Sequence, residues 1–405
     1  MFEFADRLGN RETLEPLPGE RVETLLLRHH IPPASVLVLR EGEPVSDSHV
    51  LDPGARYEAA LIEGYDIGAI RSVFSHLRND PQPADAAYAM RRLGFSVRGG
   101  LETESAGLSV EEMAAFVEEK IVDTCREFEL VREGDRIVVG LSGGVDSSAL
   151  LIALDAVRPH LPSFRLIAVT FEDCDREHSK TFDHAVDLAK SLGVEHHILP
   201  ARMAQEVFRL SAPLQEVLPA LMRTASAHQV MYIDHHTTRR VLEVFAEQNS
   251  LNRIALGLHT TDLIGGLLNG WMTGYHVGGV PVRPVGEVEY IYPLAFVTKR
   301  ELHLYHLHQT GELARHSHPN PWELDPKDRN FYYYLADLLQ SFWPGLETML
   351  IPAHNWRIRR QGPLRYEQCE NCGSTLLHQP FSPISGSECD ACALFRNAGY
   401  IAEAS

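Results

Sequence analysis

The segment Arg136–Leu150 constrains the fold of this chain more than any other stretch. β-Branched residues run up to Gly140, a polar turn covers 142–148, and an apolar helical pattern begins at Ala149. This order predicts a strand, a tight loop and a helix. Adjacent glycines let the backbone approach an anion closely, and the free N–H groups at the start of a helix attract phosphate. We therefore predict a phosphate-binding loop.

This loop differs from the two common nucleotide motifs. It lacks the final Gly-Lys-Ser/Thr of a Walker loop, and its glycines are adjacent rather than spaced as in the dinucleotide fingerprint. The pattern Ser-Gly-Gly-x-Asp-Ser after a strand resembles the loop of the PP-loop ATP pyrophosphatase superfamily. That resemblance implies a loop that grips the pyrophosphate of ATP while AMP is transferred to a carbonyl oxygen. The implied phosphate-binding residues are Ser142, Gly143, Gly144, Val145, Asp146, Ser147 and Ser148.

Alternating strands and helices follow the loop. The predicted strands are 136–140, 165–171, 195–199 and 253–257, and the predicted helices are 147–157, 178–191 and 236–248. Such alternation indicates an α/β domain in which helices cover both faces of a parallel sheet, and the resemblance implies the adenine nucleotide α-hydrolase-like version of it. Ligands of these sheets bind beyond the carboxyl ends of the strands. We expect adenine to lie against the end of strand 165–171.

Composition and charge limit the partners of the chain. Its 405 residues suit two or three domains, and the formal net charge of −18 argues against a general nucleic-acid-binding field. RNA contact is therefore expected only at local basic patches, such as Trp356–Arg360 with Arg365. No apolar run is long enough to cross a bilayer, and the first residues lack the features of a signal peptide, which predicts a cytoplasmic protein without membrane contact.

Four cysteines near the carboxyl end form a second strong pattern. Two Cys-x-x-Cys pairs are separated by a short stretch, a spacing typical of a closed tetrahedral zinc site that is structural. An iron–sulfur cluster and a redox pair are the alternatives, and the spacing favours zinc. The expected ligands are Cys369, Cys372, Cys389 and Cys392.

The amino-terminal part predicts a small separate domain. A helical pattern over 21–29, a strand over 35–40 and a closing strand over 56–62 resemble, with Val36–Val45, the β-grasp sulfur carriers. Those carriers act through a free terminal Gly-Gly, whereas this chain continues past Arg98-Gly-Gly100, so a fused docking domain is favoured. The predicted boundaries are a β-grasp domain 1–68, a connector 69–109, an ATP-binding domain 110–315, a helical segment 316–360 and a zinc ribbon 361–397.

Over about 110–395 the order of motifs resembles the tRNA 2-thiouridine synthetases. The resemblance implies that Asp262, the one acid that stands where the family has one, holds Mg²⁺ together with Asp146. Alternatively, Thr260, Thr261 and Asp262 cap a helix. Lys299 and Arg300, at a predicted helix start, are interpreted as a surface pair or as a contact to phosphate or RNA.

The chain departs from that family in its thiols. No cysteine lies between Cys174 and Cys369, and Met231, Asp234 and His318 fall where relatives carry cysteines that hold a cluster or handle sulfur. These side chains cannot do either, so an iron–sulfur cluster is not expected. Cys174 is the one thiol placed to attack or accept sulfur, unless it is a small buried hydrophobe, and Cys125 is predicted to lie in the core. Asp234, His235 and His236 with His259, His316 and His318 form a polar set that could bind a metal ion or act as general base.

Three functions remain open at this point. The first is ATP-dependent adenylation of a carbonyl oxygen of tRNA, with a sulfur carrier or sulfurtransferase as partner. The second is adenylation of a small-molecule or protein carboxylate followed by amidation or sulfur transfer. The third is a non-catalytic subunit of a tRNA thiolation complex. The expected ligands are ATP, Mg²⁺ and structural Zn²⁺, and a homodimer is compatible with each function.

Overall fold

The protein divides into two compact units that interleave along the chain. The computed structural model describes residues 1–6, 9–62, 67–68, 71, 110–172, 180–222, 227–273, 278–311, 329–343, 345–360, 365–378 and 387–401. The first unit comprises Met1–Val117, His259–Asn269 and Val297–Pro352. The second comprises Glu118–Leu258, Gly270–Phe296 and Ala353–Ser405.

A five-stranded mixed sheet forms the centre of the first unit. Its elements are β1 (Phe2–Ala5), β2 (Arg11–Leu14), α1 (Val22–Arg28), β3 (Val36–Arg40), β4 (Glu43–Pro44) and β5 (Tyr57–Leu61). The strand order is β2-β1-β5-β3-β4, with β1 parallel to β5 and the other neighbours antiparallel. This arrangement confirms the predicted β-grasp fold, although the hairpin β1–β2 was not anticipated. Its four-residue strands are too short for a clear alternating pattern.

Helices from later in the chain complete this unit. They are α9 (Lys299–Thr310), α10 (Arg329–Phe342) and the first part of α11 (Glu347–Arg360). Tyr334 of α10 is buried in the same hydrophobic cluster as Phe2, Leu25 and Tyr57 of the sheet domain. The β-grasp sheet therefore shares its core with a residue roughly 300 positions later in the chain, an association that burial of apolar surface stabilises.

Arg300 is a buried anchor within the first unit. The sequence Thr298-Lys-Arg-Glu301 forms a capping box, in which Thr298 Oγ1 accepts from Glu301 N and the Glu301 carboxylate accepts from Thr298 N. Helix α9 thus starts at a fixed point, and Arg300 Nη1 reaches Asp47 Oδ2 at 2.7 Å while Nε donates to Val36 O at 3.1 Å and Nη2 to Pro33 O. The interpretation of Lys299 and Arg300 as a surface pair is wrong, because both side chains are buried.

A six-stranded sheet forms the centre of the second unit. Its strands are β6 (Asp135–Gly140), β7 (Phe164–Phe171), β8 (Glu195–Leu199), β9 (Arg253–Ala255), β10 (Val282–Val285) and β11 (Val288–Ile291). The order is β10-β11-β9-β6-β7-β8. All neighbours are parallel except the edge hairpin β10–β11. The predicted parallel α/β sheet is confirmed, and the four predicted strands lie side by side, with β8 at one edge of the sheet.

The remaining helices and a small carboxyl-terminal hairpin lie wholly or, for two of the helices, partly in the second unit. They are α2 (Val110–Glu127), α3 (Val145–Ala156), α4 (Lys180–Ser191), α5 (Arg202–Phe208), α6 (Leu214–Met222), α7 (Ala227–Gln248), α8 (Thr260–Thr273), β12 (Arg365–Gln368), β13 (Thr375–His378) and α12 (Asp390–Asn397). Among the described residues, none of these helices is both long enough and apolar enough to cross a lipid bilayer.

Candidate functional site

The loop Leu141–Gly144 leaves the carboxyl end of β6, the central strand of the parallel sheet. Two serine side chains hold its shape. Ser147 Oγ accepts from Ser142 N at 3.0 Å and lies 2.9 Å from Ser142 Oγ, which in turn accepts from Gly144 N at 3.3 Å. The Ser147 hydroxyl also donates to Gly144 O at 3.2 Å. Both hydroxyls are therefore part of the internal hydrogen bonding that shapes the loop.

Two glycines allow backbone to pack tightly around this loop. Gly143 has a φ of +78°, and a Cβ there would lie 1.8 Å from the carbonyl oxygen of Thr181 in α4. Gly257, just after β9, lies so close to the start of α3 that a Cβ would be 2.8 Å from the carbonyl carbon of Asp146 and 2.9 Å from Ser147 N. Only glycine fits at either position, because real side-chain carbons do not come this close to backbone atoms.

The start of α3 has the features of an anion site. Gly144 is the N-cap in an extended conformation, and because glycine has no side chain, the cap residue itself offers no side-chain acceptor to the first N–H groups of this twelve-residue helix. Ser142, Gly144, Val145 and Asp146 are partly exposed there. These groups and the positive end of the helix dipole suit a phosphate.

Ser148 is the one predicted loop serine whose hydroxyl takes no part in the described hydrogen bonding of the loop. It is fully buried, and within the described residues its hydroxyl has no hydrogen-bond partner. A phosphate at the helix start would therefore meet the backbone and Ser142 before it met Ser148.

The neighbouring strand β7 is hydrogen-bonded to the first residue of the loop. Thr170 Oγ1 donates to Leu141 O at 2.7 Å and lies 2.8 Å from Nε2 of His196 in β8. Because the threonine proton is used by the carbonyl, His196 Nε2 carries the proton of the second bond. Burial, followed by the charge of His197, lowers the pKa of His196, which keeps the ring neutral and this arrangement intact. Sequence reasoning placed the end of β7 beside the loop but did not identify His196.

Asp262 lies in the first turn of α8, in the first unit. Its Oδ2 accepts from the backbone N of His259 at 3.3 Å and lies 3.3 Å from His259 Nε2. His259 Nδ1 accepts from Thr261 N at 3.2 Å, so the Nε2 atom carries the proton and faces the carboxylate. The carboxylate thus has the helix-capping contact expected of it, and its role as a Mg²⁺ ligand stays a prediction.

Several predicted functional residues lie outside the described part of the chain. They are Cys174, His316, His318, the side chain of Asp234 and the side chain of Arg365. The other cysteine of the nucleotide domain is described: Cys125 is buried, and burial raises the pKa of its thiol to about 12. The prediction that Cys125 belongs to the core is confirmed.

Cys369, Cys372, Cys389 and Cys392 converge into one buried cluster in the second unit. Their sulfur atoms all lie within 4.8 Å of one another, and Cys372 Sγ is 3.7 Å from Cys389 Sγ. A tetrahedral ion with bonds of about 2.3 Å separates its sulfur ligands by about 3.8 Å. A four-iron cluster spreads its cysteines farther apart, because each cysteine binds a different iron atom. The spacing therefore fits a single tetrahedral ion.

N–H groups point at the sulfur atoms, as expected for thiolates that carry charge. Cys389 N donates to Cys369 Sγ and Cys392 N to Cys389 Sγ, both at 3.4 Å, and Asn371 Nδ2 donates to Cys392 Sγ at 3.2 Å. Because metal ions bind thiolates rather than thiols, this environment suits a metal.

The cysteine cluster is attached to the helices beside the parallel sheet. Ser374 Oγ lies 2.9 Å from Cys372 Sγ and 3.1 Å from Nε2 of His236 in α7, and Arg240 of the same helix donates to Cys372 O at 2.9 Å. Asn371 Nδ2 also donates to Phe208 O at 2.8 Å. His236 is predicted to be part of a polar histidine set. In the structure it contacts the four-cysteine cluster through Ser374, a role that nothing in the sequence indicates.

Replacing Cys372 by serine is expected to abolish metal binding at this cluster. Purified wild-type chain should contain a single zinc ion, and C372S should lose most of it because a neutral hydroxyl is a poor zinc ligand. Since metal binding folds such short segments, proteolysis within 365–401 should become faster. C125A, which removes the buried thiol outside the cluster, should keep its zinc. A full zinc content in C372S would show that Cys372 is not a metal ligand.

This chain is similar in sequence to several known proteins. A family model described as Queuosine biosynthesis protein QueC matches residues 136–265. The tRNA-cytidine(32) 2-sulfurtransferase of Leptothrix cholodnii is 24% identical over 211 residues, which cover 51% of this chain and 60% of that protein. The tRNA(Ile)-lysidine synthase of Persephonella marina is 28% identical over 192 residues, covering 47% and 38%. The chain thus spans less than two thirds of the length of these relatives.

Among solved structures, the U34-tRNA thiolase NcsA from Methanococcus maripaludis is similar in fold. It has a TM-score of 0.56 and 17% sequence identity, and the match covers 76% of this chain and 96% of that one. That structure contains a 4Fe-4S cluster. At this identity the likeness concerns the fold alone.

Proposed function

We propose that this chain, a member of the PP-loop ATP pyrophosphatase superfamily through residues 136–265, is an ATP-dependent adenylating enzyme acting on tRNA. It would transfer AMP to a carbonyl oxygen and release pyrophosphate, after which a nucleophile displaces AMP. The observation that carries the proposal is the loop after β6, whose glycine turn leads into a helix start without a side-chain cap. The tRNA substrate rests on the similar sulfurtransferases and lysidine synthase.

Some loop residues maintain the conformation of the loop, and others would bind the phosphates. Ser142 and Ser147 hold the turn, and Gly143 lets it pass beneath Thr181. The backbone N–H groups of Val145 and Asp146 at the helix start would hold the pyrophosphate, because donors placed where negative charge develops on the leaving group lower the barrier. Adenine would lie against the end of β7.

We propose Asp146 and Asp262 as the Mg²⁺ ligands, since this hard cation prefers carboxylate oxygens. We assign a structural zinc ion, rather than an iron–sulfur cluster, to the four cysteines because of their sulfur spacing. Metal analysis and visible absorption of protein purified without oxygen would decide between them. Cys174 remains the proposed thiol for sulfur transfer from a carrier or sulfurtransferase, and we expect the reaction in the cytoplasm.

A second candidate function is adenylation of a small-molecule or protein carboxylate. It is favoured by the absence of any cysteine between Cys174 and Cys369, which leaves few thiols for sulfur chemistry, and by the net charge of −18. Ammonia, an amine or carrier-bound sulfur would then be the nucleophile.

Pyrophosphate release separates these possibilities. With ATP and Mg²⁺, the wild-type chain should release pyrophosphate when bulk tRNA is added, and ribonuclease treatment of the tRNA should abolish that release. D146N should reduce the rate strongly if Asp146 positions Mg²⁺. Release that survives ribonuclease but needs a cell metabolite fraction would support the carboxylate substrate. No ATP binding by calorimetry would overturn both and support the non-catalytic subunit.

A further inference from the structure

An exposed surface of the second unit combines tryptophans with arginines. Trp271 and Met272 end α8, and Trp356 lies near the end of α11 with Arg357, Arg359 and Arg360. The two tryptophans are 46% and 53% exposed and Met272 is 73% exposed. We call these six residues the tryptophan–arginine surface. Large exposed aromatic side chains that are grouped, rather than scattered singly, mark binding sites.

The arginines are stacked on the indole rings. The Arg357 guanidinium carbon lies 5.2 Å from the centroid of the Trp271 ring, and that of Arg360 lies 4.5 Å from the centroid of Trp356. Trp356 and Arg360 are four residues apart on one helix and so lie on the same side. Among the described residues, no carboxylate forms an ion pair with Arg357, Arg359 or Arg360. The surface therefore keeps its positive charge in a chain whose net charge is −18.

The helix beneath this surface is held in place. His354 Nε2 donates to Gly278 O at 2.7 Å, and Asn355 Oδ1 accepts from Val280 N at 3.1 Å. The His354 ring also lies 6.5 Å from the Trp271 ring. Because these buried contacts fix the last turns of α11, Trp356 and its arginine neighbours are preorganised, and binding costs less conformational entropy.

The helix dipole explains only part of this composition. Basic residues in the last turn of α11 are favourable next to the negative end of the helix. That effect does not require exposed tryptophans, which would be more stable buried. Flat aromatic rings beside guanidinium groups are the combination that binds single-stranded nucleic acid, because unpaired bases stack on the rings while arginines contact phosphates.

We propose that the tryptophan–arginine surface binds an unpaired stretch of RNA. The inference rests on the proposed function, because it assigns the RNA contact of an enzyme that acts on tRNA. The negative charge of the rest of the chain would repel the RNA elsewhere and so confine it to this surface. Duplex RNA, whose bases are already stacked on one another, would bind here more weakly.

Fluorescence anisotropy with a labelled single-stranded oligouridine, and with a blunt RNA duplex of equal length, tests the proposal without ATP. W271A and W356A should each weaken binding of the single strand about tenfold, and W356F should restore most of it, because stacking on an aromatic side chain contributes roughly this much per base. The triple variant R357Q/R359Q/R360Q should reduce the slope of log affinity against log salt by about 2.

W343A is the matched control. Trp343 is 47% exposed but belongs to the first unit and stacks on no arginine of the described chain. Its replacement should leave RNA binding unchanged. Equal affinity of W271A, W356A and wild type would overturn the proposal, as would tighter binding of the duplex than of the single strand.

Failure of this proposal can be told apart from failure of the proposed function. Calorimetry of ATP binding should give the same result for wild type, W271A and W356A. If the wild type binds oligouridine through this surface but releases no pyrophosphate with tRNA, the surface stands and the enzyme assignment fails. If tRNA-dependent release persists while the tryptophan variants bind RNA normally, the enzyme assignment stands and this surface is wrong.

Discussion

Replacing Gly143 by alanine is expected to abolish ATP-dependent pyrophosphate release. The new methyl group would lie 1.8 Å from the Thr181 carbonyl oxygen in a backbone with φ of +78°, so the loop or the start of α4 must move. A displacement of about 1 Å in a catalytic arrangement can cost on the order of 100-fold in rate. The measurement is pyrophosphate release with ATP, Mg²⁺ and bulk tRNA, together with ATP affinity by calorimetry.

G134A is the control for this variant. Gly134 has nearly the same φ, +80°, but a Cβ there meets nothing within 4 Å. Its replacement should cost about 1–2 kcal/mol of stability from the left-handed backbone and leave ATP affinity unchanged. If G143A bound ATP as tightly as G134A, the loop would not be the phosphate site.

Replacing Arg300 by alanine is expected to destabilise the first unit by about 3–5 kcal/mol, because it leaves the buried Asp47 carboxylate without its cation. The Val36 and Pro33 carbonyls would lose their donor as well. Urea unfolding followed by circular dichroism would measure the loss as a lower midpoint, with a separate early transition if this unit unfolds on its own.

R11A is the control variant for the loss of stability in R300A. Arg11 pairs with Glu3 at 2.7 Å, but its side chain is 57% exposed, so its removal should cost less than about 1 kcal/mol. R300K should be intermediate, because lysine restores the charge, but its three N–H groups sit on one nitrogen and cannot reach acceptors as far apart as those of the guanidinium. Equal midpoints for R300A and R11A would show that the buried contacts of Arg300 do not stabilise the unit.

Much of the second unit was predictable because its signals are local. The run ending at Gly140 and the alternation that follows gave the central strands, whose buried Val and Ile residues are typical of a sheet covered on both faces. The adjacent glycines predicted the tight turn between β6 and α3. The edge hairpin β10–β11 was missed, since the predicted βα alternation ends before it.

The roles of single side chains were less predictable. From the sequence alone Arg300 is interpreted as a surface residue, because its partner Asp47 lies 253 residues earlier in the chain. The sequence places His236 in a predicted histidine set, yet in the structure it contacts Ser374 beside the four-cysteine cluster. Trp271 carries no signal on its own, and only its approach to Arg357 makes it part of a surface.

The sequence by itself determined the elements whose cause lies within a few residues: strand patterns, the glycine turn, the start of α9 and the spacing of cysteine pairs. Tertiary structure alone decided which partners meet across long separations. Those contacts include Thr181 over Gly143, Gly257 against the start of α3, and Arg300 on Asp47. The physical reason is that backbone propensity and periodicity act locally, whereas packing, burial and hydrogen-bond pairing depend on residues that only the folded chain brings together.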